Sequence, residues 1–352
     1  ARAGCLRGGG AMTLTVAPFA GAAAEWDGFI AWQDGWTHFH RYGWREIYES
    51  VFQHECLYLA AREADGSLAG ILPLVRVRSL VFGHYLVSLP FVNYGGPLGS
   101  DAAIVALTEW AAARAREDGV KLLELRSRRA LPVALPVSHR KITVVLDLPA
   151  EPERLLKSFE AKVRSQVRRP GKEGITVRFG PDQVGPFFQV FARHMRDLGT
   201  PTQPRELFDR IVAVFPDTWV GCAWLGDQPL AGGIGFRWEQ EFEMTWASSL
   251  YAYNRFSPNM GLYWAFMERA CREGVTLFNF GRCSPGAGTH RFKSQWGSRD
   301  EQLWWYQQAR DGGEAATPSP DSGAFAWGPR VWRKLPLGLA TAIGPRVVRG
   351  IP

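Results

Sequence analysis

Val220–Trp238 reads VGCAWLGDQPLAGGIGFRW, and it repeats the pattern of an earlier segment, Tyr58–Val77, which reads YLAAREADGSLAGILPLVRV. Each segment combines a β-strand, a tight turn containing Gly and Asp, and a second strand. The two segments align at Leu68–Gly70 and Leu230–Gly232, which both read Leu-Ala-Gly. The sequence therefore predicts two antiparallel hairpins of the same design, one in each half of the chain.

Beyond each hairpin the repetition continues with a helix and a strand. Glu109–Arg128 is an amphipathic helix that stops near Gly119 and runs into a strand, and Tyr263–Arg282 does the same with a stop near Gly274. An ordered series of matches at this long spacing indicates duplicated domains rather than a solenoid. We predict an α/β (α+β) protein in which each domain is a mixed, mostly antiparallel sheet flanked by helices.

The chain of 352 residues has the length of two ordinary domains. We predict a first domain at 12–150 and a second at 151–310, the latter opening with a basic linking helix, 153–172, that Pro170-Gly171 ends. Residues 1–11 are predicted to be a non-native or disordered start. Residues 311–352 are predicted to form a flexible link rich in Gly, Pro, Ser and Ala, followed by a basic amphipathic tail.

Composition narrows the class of protein. The formal net charge of +7 favours an anionic partner such as phosphate, nucleic acid or an anionic membrane surface, without choosing among them. The five cysteines are scattered and contain no CxxC pair, which indicates a reducing compartment without structural disulfides or zinc. No apolar run reaches the ~20 residues that a membrane span needs. These observations predict a cytoplasmic protein.

The densest polar segment is Asn279–Gly297, which follows a predicted strand and has a glycine-rich centre. Within it, Arg282 or Lys293 can hold a phosphate or stabilise an oxyanion, and His290 can shuttle a proton. The segment contains neither a triad order nor metal-ligand spacing, which argues against a hydrolase or a metalloenzyme. We predict these three as catalytic residues; the alternative is a polar loop without a chemical role.

Six segments together resemble the FemAB-like family of peptidoglycan interpeptide-bridge transferases, which are built from tandem GNAT-type domains, and in particular the branch associated with exosortase/PEP-CTERM exopolysaccharide systems. The resemblance spans about residues 25–308. The segments that carry it are His38–Trp44, Phe91–Gly99, Phe159–Gly174, His194–Pro204, Ser249–Trp264 and Phe278–Gly297.

The resemblance implies a transferase that moves an aminoacyl group from aminoacyl-tRNA to an amine of a diphosphate-bearing, lipid-linked or nucleotide-linked precursor, without a metal or other cofactor. It implies Lys293 as the cation near the reacting carbonyl and Lys162, Arg164 and Arg168 as phosphate ligands. A solvated basic face is the alternative for these last three. The further candidates for substrate binding are Asn93, Tyr94, His40, Trp246, Tyr253, Asn254 and Trp296. For His40 the alternative is a packing or capping role.

The acyl donor stays open between aminoacyl-tRNA and acyl-coenzyme A. The loop before Gly261 carries Pro258 and Asn259 where a coenzyme A-binding loop is usually glycine-rich, and Pro has no N–H to donate. The chain has no room for the helical pair that some members of the family carry in the second domain, so tRNA use is open as well. The alternatives are a coenzyme A-dependent N-acetyltransferase of the same fold and a non-catalytic scaffold or ligand-binding protein in polysaccharide assembly.

The tail predicts peripheral contact with the inner membrane. Its cations are interleaved with apolar residues, although Pro336 and Pro345 interrupt any long helix. The cations are Arg330, Arg333, Lys334, Arg346 and Arg349.

Overall fold

The structure is a computed structural model that describes residues 14–79, 81–311 and 328–351. The predicted start at 1–11 and nearly all of the predicted flexible link lie outside these ranges.

Both halves of the chain alternate strands and helices. The elements up to residue 150 are β1 (Thr15–Pro18), α1 (Ala23–Ile30), α2 (Gly43–Val51), β2 (Glu55–Arg62), β3 (Leu68–Ser79), β4 (Gly83–Val87), β5 (Leu98–Gly99), α3 (Asp101–Glu117), β6 (Leu122–Ser127), β7 (Val137–Ser138) and β8 (Ile142–Asp147). The later elements are α4 (Pro152–Ser158), α5 (Ala161–Lys172), β9 (Ile175–Phe179), α6 (Val184–Leu198), α7 (Arg205–Val214), β10 (Trp219–Leu225), β11 (Gln228–Trp238), β12 (Glu241–Ser249), α8 (Pro258–Arg272), β13 (Leu277–Cys283), α9 (Gly288–Ser294), β14 (Arg299–Gln302), β15 (Trp304–Ala309), α10 (Gly328–Trp332) and α11 (Leu337–Val348). Short 3-10 helices cover His38–His40, Pro181–Gln183 and Tyr251–Phe256.

The strands form two sheets of the same design. The first has the order β1-β2-β3-β4-β6-β15-β7, with β5 beside β3, and the second has the order β14-β8-β13-β12-β11-β10-β9. The hairpins β2–β3 and β10–β11 are antiparallel, whereas β4–β6 and β12–β13 are parallel and are joined through α3 and α8. The prediction of two mixed, mostly antiparallel sheets flanked by helices is confirmed.

The two sheets exchange a strand. β8 comes before residue 150 yet lies between β13 and β14, and β15 comes from the end of the second half yet lies between β6 and β7. Between β14 and β15 only Leu303 intervenes, and this residue is fully buried. The sheets therefore do not divide the chain at residue 150, because each half supplies one strand to the other.

An aromatic core joins the halves. The largest buried cluster contains Trp26, Phe39 and Trp44 from the first half together with Phe208 and Phe236 from the second. In the same cluster the ring of His38 stacks on Phe236, with 4.2 Å between the ring centroids. Burying rings of this size on both sides makes the interface a part of the core.

Two helices, α4 and α5, take the place of the single predicted linking helix. The chain is extended at Phe159 between α4 and α5, because the Phe159 side chain is buried against Trp264 and Trp296. α5 runs through Pro170 and ends at Lys172, the residue at which the predicted helix 153–172 ends. Gly261 of α8 makes room for the proline, since a Cβ there would lie 2.9 Å from the Pro170 ring.

The tail folds back on α6. Arg196 Nη1 donates to the carbonyl oxygen of Leu335 over 3.1 Å, and Arg333 Nη2 donates to that of Leu198 over 3.2 Å. Gly344 of α11 lies against the backbone of Thr202, where a Cβ would approach to 2.9 Å. Within the described ranges, no helix has the length and apolar character to cross a membrane.

Candidate active site

A gap opens in the second sheet where β12 and β13 separate. Their parallel pairing covers only Glu241–Glu243 and Leu277–Asn279. On the other side of β12, Ile234 pairs with Trp246 and Gly235 with Met244, so the intervening residue, Thr245, is a bulge. Bulges bend a strand and redirect its side chains, and they are common beside active sites.

A second irregularity shapes β13. Its register against β8 shifts between Asn279 and Arg282, and Gly281 takes the left-handed φ of +73° that favours glycine. The side-chain oxygen of Asn279 accepts the N–H of Gly281 over 2.8 Å and stabilises this turn. The carbonyl oxygens of Gly281 and Arg282 are thereby directed toward α9.

Glu243 lies in this gap and is fully buried, with 0% of its surface exposed. Asn93 Nδ2, from the first half, donates to Glu243 Oε1 over 2.5 Å, whereas Oε2 has no hydrogen-bond partner in the described part of the chain. Burial, and then the neighbouring Glu241, raise the pKa of Glu243 to about 7. A carboxyl group in this state exchanges a proton near neutral pH through its free oxygen.

Lys293 projects from α9 into the same region and is 7% exposed. Its Nζ donates to the carbonyl oxygen of Gly281 over 2.7 Å and to that of Arg282 over 2.9 Å. Burial, with a smaller contribution from the Arg282 charge, lowers the pKa of Lys293 to about 8. An ammonium group has three N–H donors, and the described contacts use two of them. The third is available to a ligand.

A polar network connects this region to both halves. The Tyr94 hydroxyl donates to Thr143 Oγ1 over 2.8 Å, and the Thr143 hydroxyl donates to Asn279 Oδ1 over 2.7 Å. Asn279 Nδ2 donates to Glu241 Oε1 over 2.7 Å, and Arg128 holds the same carboxylate with two bonds of 2.8 and 2.7 Å. Strand exchange makes the network possible, because β8 carries Thr143 into the second sheet.

The sequence prediction missed Glu243, Asn279 and Thr143 as site residues. Glu241–Met244 reads Glu-Phe-Glu-Met, in which both carboxylates fall on the same face of the strand and alternate with the apolar Phe242 and Met244. A carboxylate in a strand that is otherwise buried is a signal for a functional group. Asn279 begins the polar segment Asn279–Gly297, whereas Thr143 has no comparable local signal.

Arg282 is half-buried, with its guanidinium group 5.1 Å from the centre of the Trp305 ring. His290 is occupied at both ring nitrogens: Nδ1 accepts the N–H of Gly286 over 3.0 Å and Nε2 bonds the Asp300 carboxylate over 3.0 Å. The structure thus brings Lys293 and Arg282 to the gap and uses the His290 ring to hold the glycine-rich turn against β14.

His40 supports the site indirectly. Its Nδ1 accepts the backbone N–H of Thr37 over 3.0 Å, so Nε2 carries the proton and donates to the carbonyl oxygen of Gly96 over 3.1 Å. Burial lowers the pKa of His40 to about 4, which keeps the imidazole neutral. These bonds anchor the loop that presents Asn93 and Tyr94.

Four other predicted residues lie apart from the gap or inside the core. Trp246 packs against Phe208 and Phe236 in the buried core. Trp296 is 1% exposed. Tyr253 and Asn254 lie in the 3-10 helix that precedes α8, where Tyr253 is half-buried and Asn254 is exposed. The two tryptophans have the surroundings of core residues.

The three predicted phosphate ligands lie on α5, which packs against α8 and β9. Lys162 and Arg168 are exposed, and Arg164 donates to the carbonyl oxygen of Phe159. No described hydrogen bond or ion pair joins them to the residues around Glu243. Their role in binding phosphate stays a prediction.

Comparison with known proteins identifies the architecture. Residues 157–294 match the model of the acetyltransferase (GNAT) domain, and this range contains the gap, Glu243 and Lys293. The chain has a tandem GNAT fold. No curated protein sequence matches it. The described residues contain no group of three His, Cys, Asp or Glu placed to hold a metal ion.

Several solved structures share the fold of this chain. FemX is 16% identical with a TM-score of 0.62, covering 84% of this chain and 97% of its own. L-PGS from Bacillus licheniformis is 11% identical with a TM-score of 0.54, covering 90% and 98% respectively. The C-terminal domain of a putative lysylphosphatidylglycerol synthetase from Agrobacterium fabrum is 13% identical with a TM-score of 0.52, covering 76% and 88%. At these identities the similarity shows the fold alone.

Proposed function

We propose that this protein is an N-acyltransferase that transfers an acyl or aminoacyl group from an activated ester or thioester to an amine. The observation that carries the proposal is a buried carboxyl group, Glu243, with one unpartnered oxygen, in a gap of the GNAT domain that also contains Lys293. One group is suited to accept a proton and the other to stabilise negative charge, as acyl transfer to an amine requires.

In this mechanism the carboxylate of Glu243 takes a proton from the acceptor's ammonium group. The neutral nitrogen attacks the donor's carbonyl carbon, so a C–N bond forms and the carbonyl oxygen becomes an oxyanion. The free N–H of Lys293 donates to that oxyanion. Collapse of the intermediate breaks the C–O or C–S bond, and the leaving oxygen or sulfur takes up a proton that the nitrogen releases. The protein holds both substrates in the gap, which removes much of the entropic cost of their encounter.

The start of α8 favours a donor other than coenzyme A. The N–H groups of Met260 and Gly261 both donate to the carbonyl oxygen of Ser257, and Pro258 has no N–H. Asn259 alone of these residues retains an N–H for a pyrophosphate, whereas anion sites at helix starts use several. We therefore place aminoacyl-tRNA ahead of acyl-coenzyme A as the cosubstrate. Micromolar binding of acetyl-coenzyme A in a calorimetric titration would reverse this order.

The acceptor in this proposal is an amine of a cell-envelope or exopolysaccharide precursor, linked to a lipid or a nucleotide. The FemAB-like resemblance of residues 25–308 and the fold shared with FemX support it. The location that fits is cytoplasmic, with peripheral contact at the inner membrane through the tail. Residues 328–351 support that contact because they contain five Lys or Arg side chains and no carboxylate, and because Leu339 of α11 is 46% exposed.

The test is turnover with aminoacyl-tRNA and with acetyl-coenzyme A, each offered lipid-linked and nucleotide-linked amino sugars and peptides. Lys293→Met should lower kcat by about 10²–10³-fold, the usual effect of removing an oxyanion donor. Lys172→Met, an exposed residue at the end of α5, is the matched control and should leave kcat unchanged. Equal activity of the Lys293 variant and the control would remove the site assignment.

A further inference from the structure

Two cations near the crossover between β14 and β15 have no counter-ion in the described structure. The guanidinium group of Arg282 lies over the Trp305 ring, and no described hydrogen bond or ion pair involves it. Lys141 Nζ donates to Ser284 Oγ over 2.7 Å, and no described carboxylate lies within 4.0 Å of it. Cations sheltered from water in this way are costly unless an anion compensates them.

Two of the nearby carboxylates, Glu124 and Glu301, are already engaged, and a third, Glu243, favours the charged form of Arg282 but makes no described ion pair with it. Arg126, whose guanidinium also lies over Trp305 at 4.7 Å, holds Glu124 over 2.7 Å. Glu301 bonds Arg128 over 2.9 Å. These pairs leave an excess of positive charge at Arg282 and Lys141.

Burial and neighbouring positive charge disfavour the charged form of both cations. Burial, and then the Arg126 charge, lower the pKa of Arg282 to about 10. Burial, and then the Arg282 charge, lower the pKa of Lys141. An anion bound between the two groups would oppose both shifts, because an opposite charge favours the charged form.

We propose that Arg282, Lys141 and the Ser284 hydroxyl form a seat for a phosphate group of one of the substrates. The guanidinium fork matches two phosphate oxygens, the ammonium group adds a point charge, and the Ser284 hydroxyl, which accepts from Lys141, has its own proton to donate. Lys293 Nζ bonds the carbonyl oxygen of Arg282, so the seat lies next to the proposed reacting centre. The proposal depends on the proposed function only for which substrate carries the phosphate, since binding can be measured without turnover.

This seat and α5 make opposite predictions for phosphate binding. Lys162 and Arg168 on α5 are exposed and therefore hydrated and screened by salt, whereas Arg282 and Lys141 are half-buried. Desolvated, charge-assisted hydrogen bonds contribute more to binding than exposed ones.

The experiment is a calorimetric titration of the full chain with inorganic pyrophosphate. Arg282→Gln and Lys141→Met should each weaken binding by about 10-fold or more. Lys162→Met and Arg168→Gln test the competing site on α5 and should bind as the unmodified protein does, as should the control Lys172→Met at another exposed residue. Equal binding by all five variants and the unmodified protein, or a loss confined to the α5 variants, would overturn the seat. Ser284→Ala, a smaller change, provides a second reading should a charge variant fail to fold; it should weaken binding, and unchanged binding would count against the seat.

The source of the phosphate is then separated with three probes: UDP-N-acetylglucosamine, coenzyme A and a 5′-phosphorylated CCA trinucleotide. A probe that binds through the seat should lose affinity in Arg282→Gln and keep it in Arg168→Gln. Loss for the sugar nucleotide assigns the seat to the acceptor, and loss for either of the others assigns it to the donor. Binding of all three that is insensitive to Arg282→Gln would overturn the proposal. A protein that binds through the seat but shows no acyl transfer would contradict the proposed function and leave the seat intact.

Discussion

Glu243 is buried at a depth where carboxylates are rare unless they are paired. Asn93 satisfies one of its oxygens, and the described structure leaves the other without a partner. An unsatisfied buried oxygen costs stability, typically about 1–3 kcal/mol, so it is expected where a ligand supplies the missing proton. In the proposed function, the amine of the acceptor is that ligand.

We expect a bell-shaped dependence of kcat/KM on pH. Glu243 must be ionised to accept a proton, so activity should rise as the pH passes about 7. Lys293 must be protonated to stabilise the oxyanion, so activity should fall as the pH passes about 8. Because the two groups lie in one site and interact, the pKa values obtained from the rising and falling limbs belong to the pair rather than to either residue.

Glu243→Gln should lower kcat/KM by about 10²–10⁴-fold and abolish the rising limb, since the amide cannot accept the proton. The measurement is kcat/KM between about pH 5.5 and 9.5, with the exposed Glu206→Gln as a control that keeps both limbs. A rising limb that persists in the Glu243 variant would show that another group is the base.

At the scale of elements, the loop between β4 and β5 joins the first half to the site. Leu89 and Phe91 both have left-handed backbone conformations, with φ of 59° and 69°, which are unfavourable for residues with side chains. The bond from His40 to Gly96 helps to hold the loop in this form. The position of Asn93 against Glu243 therefore depends on a neutral, buried imidazole.

We expect acid to destabilise this element. The pKa of His40 is about 4 in the folded protein, against an ordinary value of 6.5, so between these values the unfolded chain binds a proton that the folded one excludes. Stability contributed by His40 is complete above about pH 6.5 and is lost as the pH falls toward 4, by up to about 3 kcal/mol. His40→Gln should flatten the fall in melting temperature over this range, whereas the exposed His139→Gln should follow the unmodified protein. Parallel curves for all three proteins would contradict this role.

Elements encoded by neighbouring residues were the predictable ones. The hairpins β2–β3 and β10–β11 follow from alternation of residues around a Gly-Asp turn, and such signals need only a short window of sequence. The pairing partners of β8 could not be predicted in this way, because Thr143 contacts Asn279 through pairing between distant parts of the chain. Trp296 illustrates a related limit: an aromatic beside polar residues has the same sequence signature in a cleft as in a core. Arg282 and Lys293 were candidates from sequence because they cluster in one polar segment, and their catalytic roles stay a prediction.

At the scale of the molecule, strand exchange makes the halves interdependent. Residues 1–150 lack β15, which separates β6 from β7, and residues 151–311 lack β8, which separates β13 from β14. We expect neither fragment to fold alone, and we expect co-expression of the two to yield a stable complex. Size-exclusion chromatography and thermal melting followed by circular dichroism test this. A cooperative melt of either isolated fragment would contradict the expected dependence.

A substitution at Leu339 tests the proposed contact of the tail with a membrane. We expect Leu339→Glu to reduce flotation with anionic phosphatidylglycerol vesicles by several-fold, because it places a charge on the exposed apolar face of α11. Val81→Glu, at an exposed apolar residue elsewhere, is the matched control and should float as the unmodified protein does. Equal flotation of both variants would remove the tail as the contact.

The position of β15 in the chain also determines when the first sheet can be completed during synthesis. β6 leaves the ribosome long before β15, the strand that covers its edge. At translation rates of about 5–20 residues per second, that edge would stay open for roughly 10–40 s, far longer than a small domain needs to fold. An open edge is a template for pairing with other chains. We therefore expect the nascent first half to be the stage at which this protein is most exposed to aggregation.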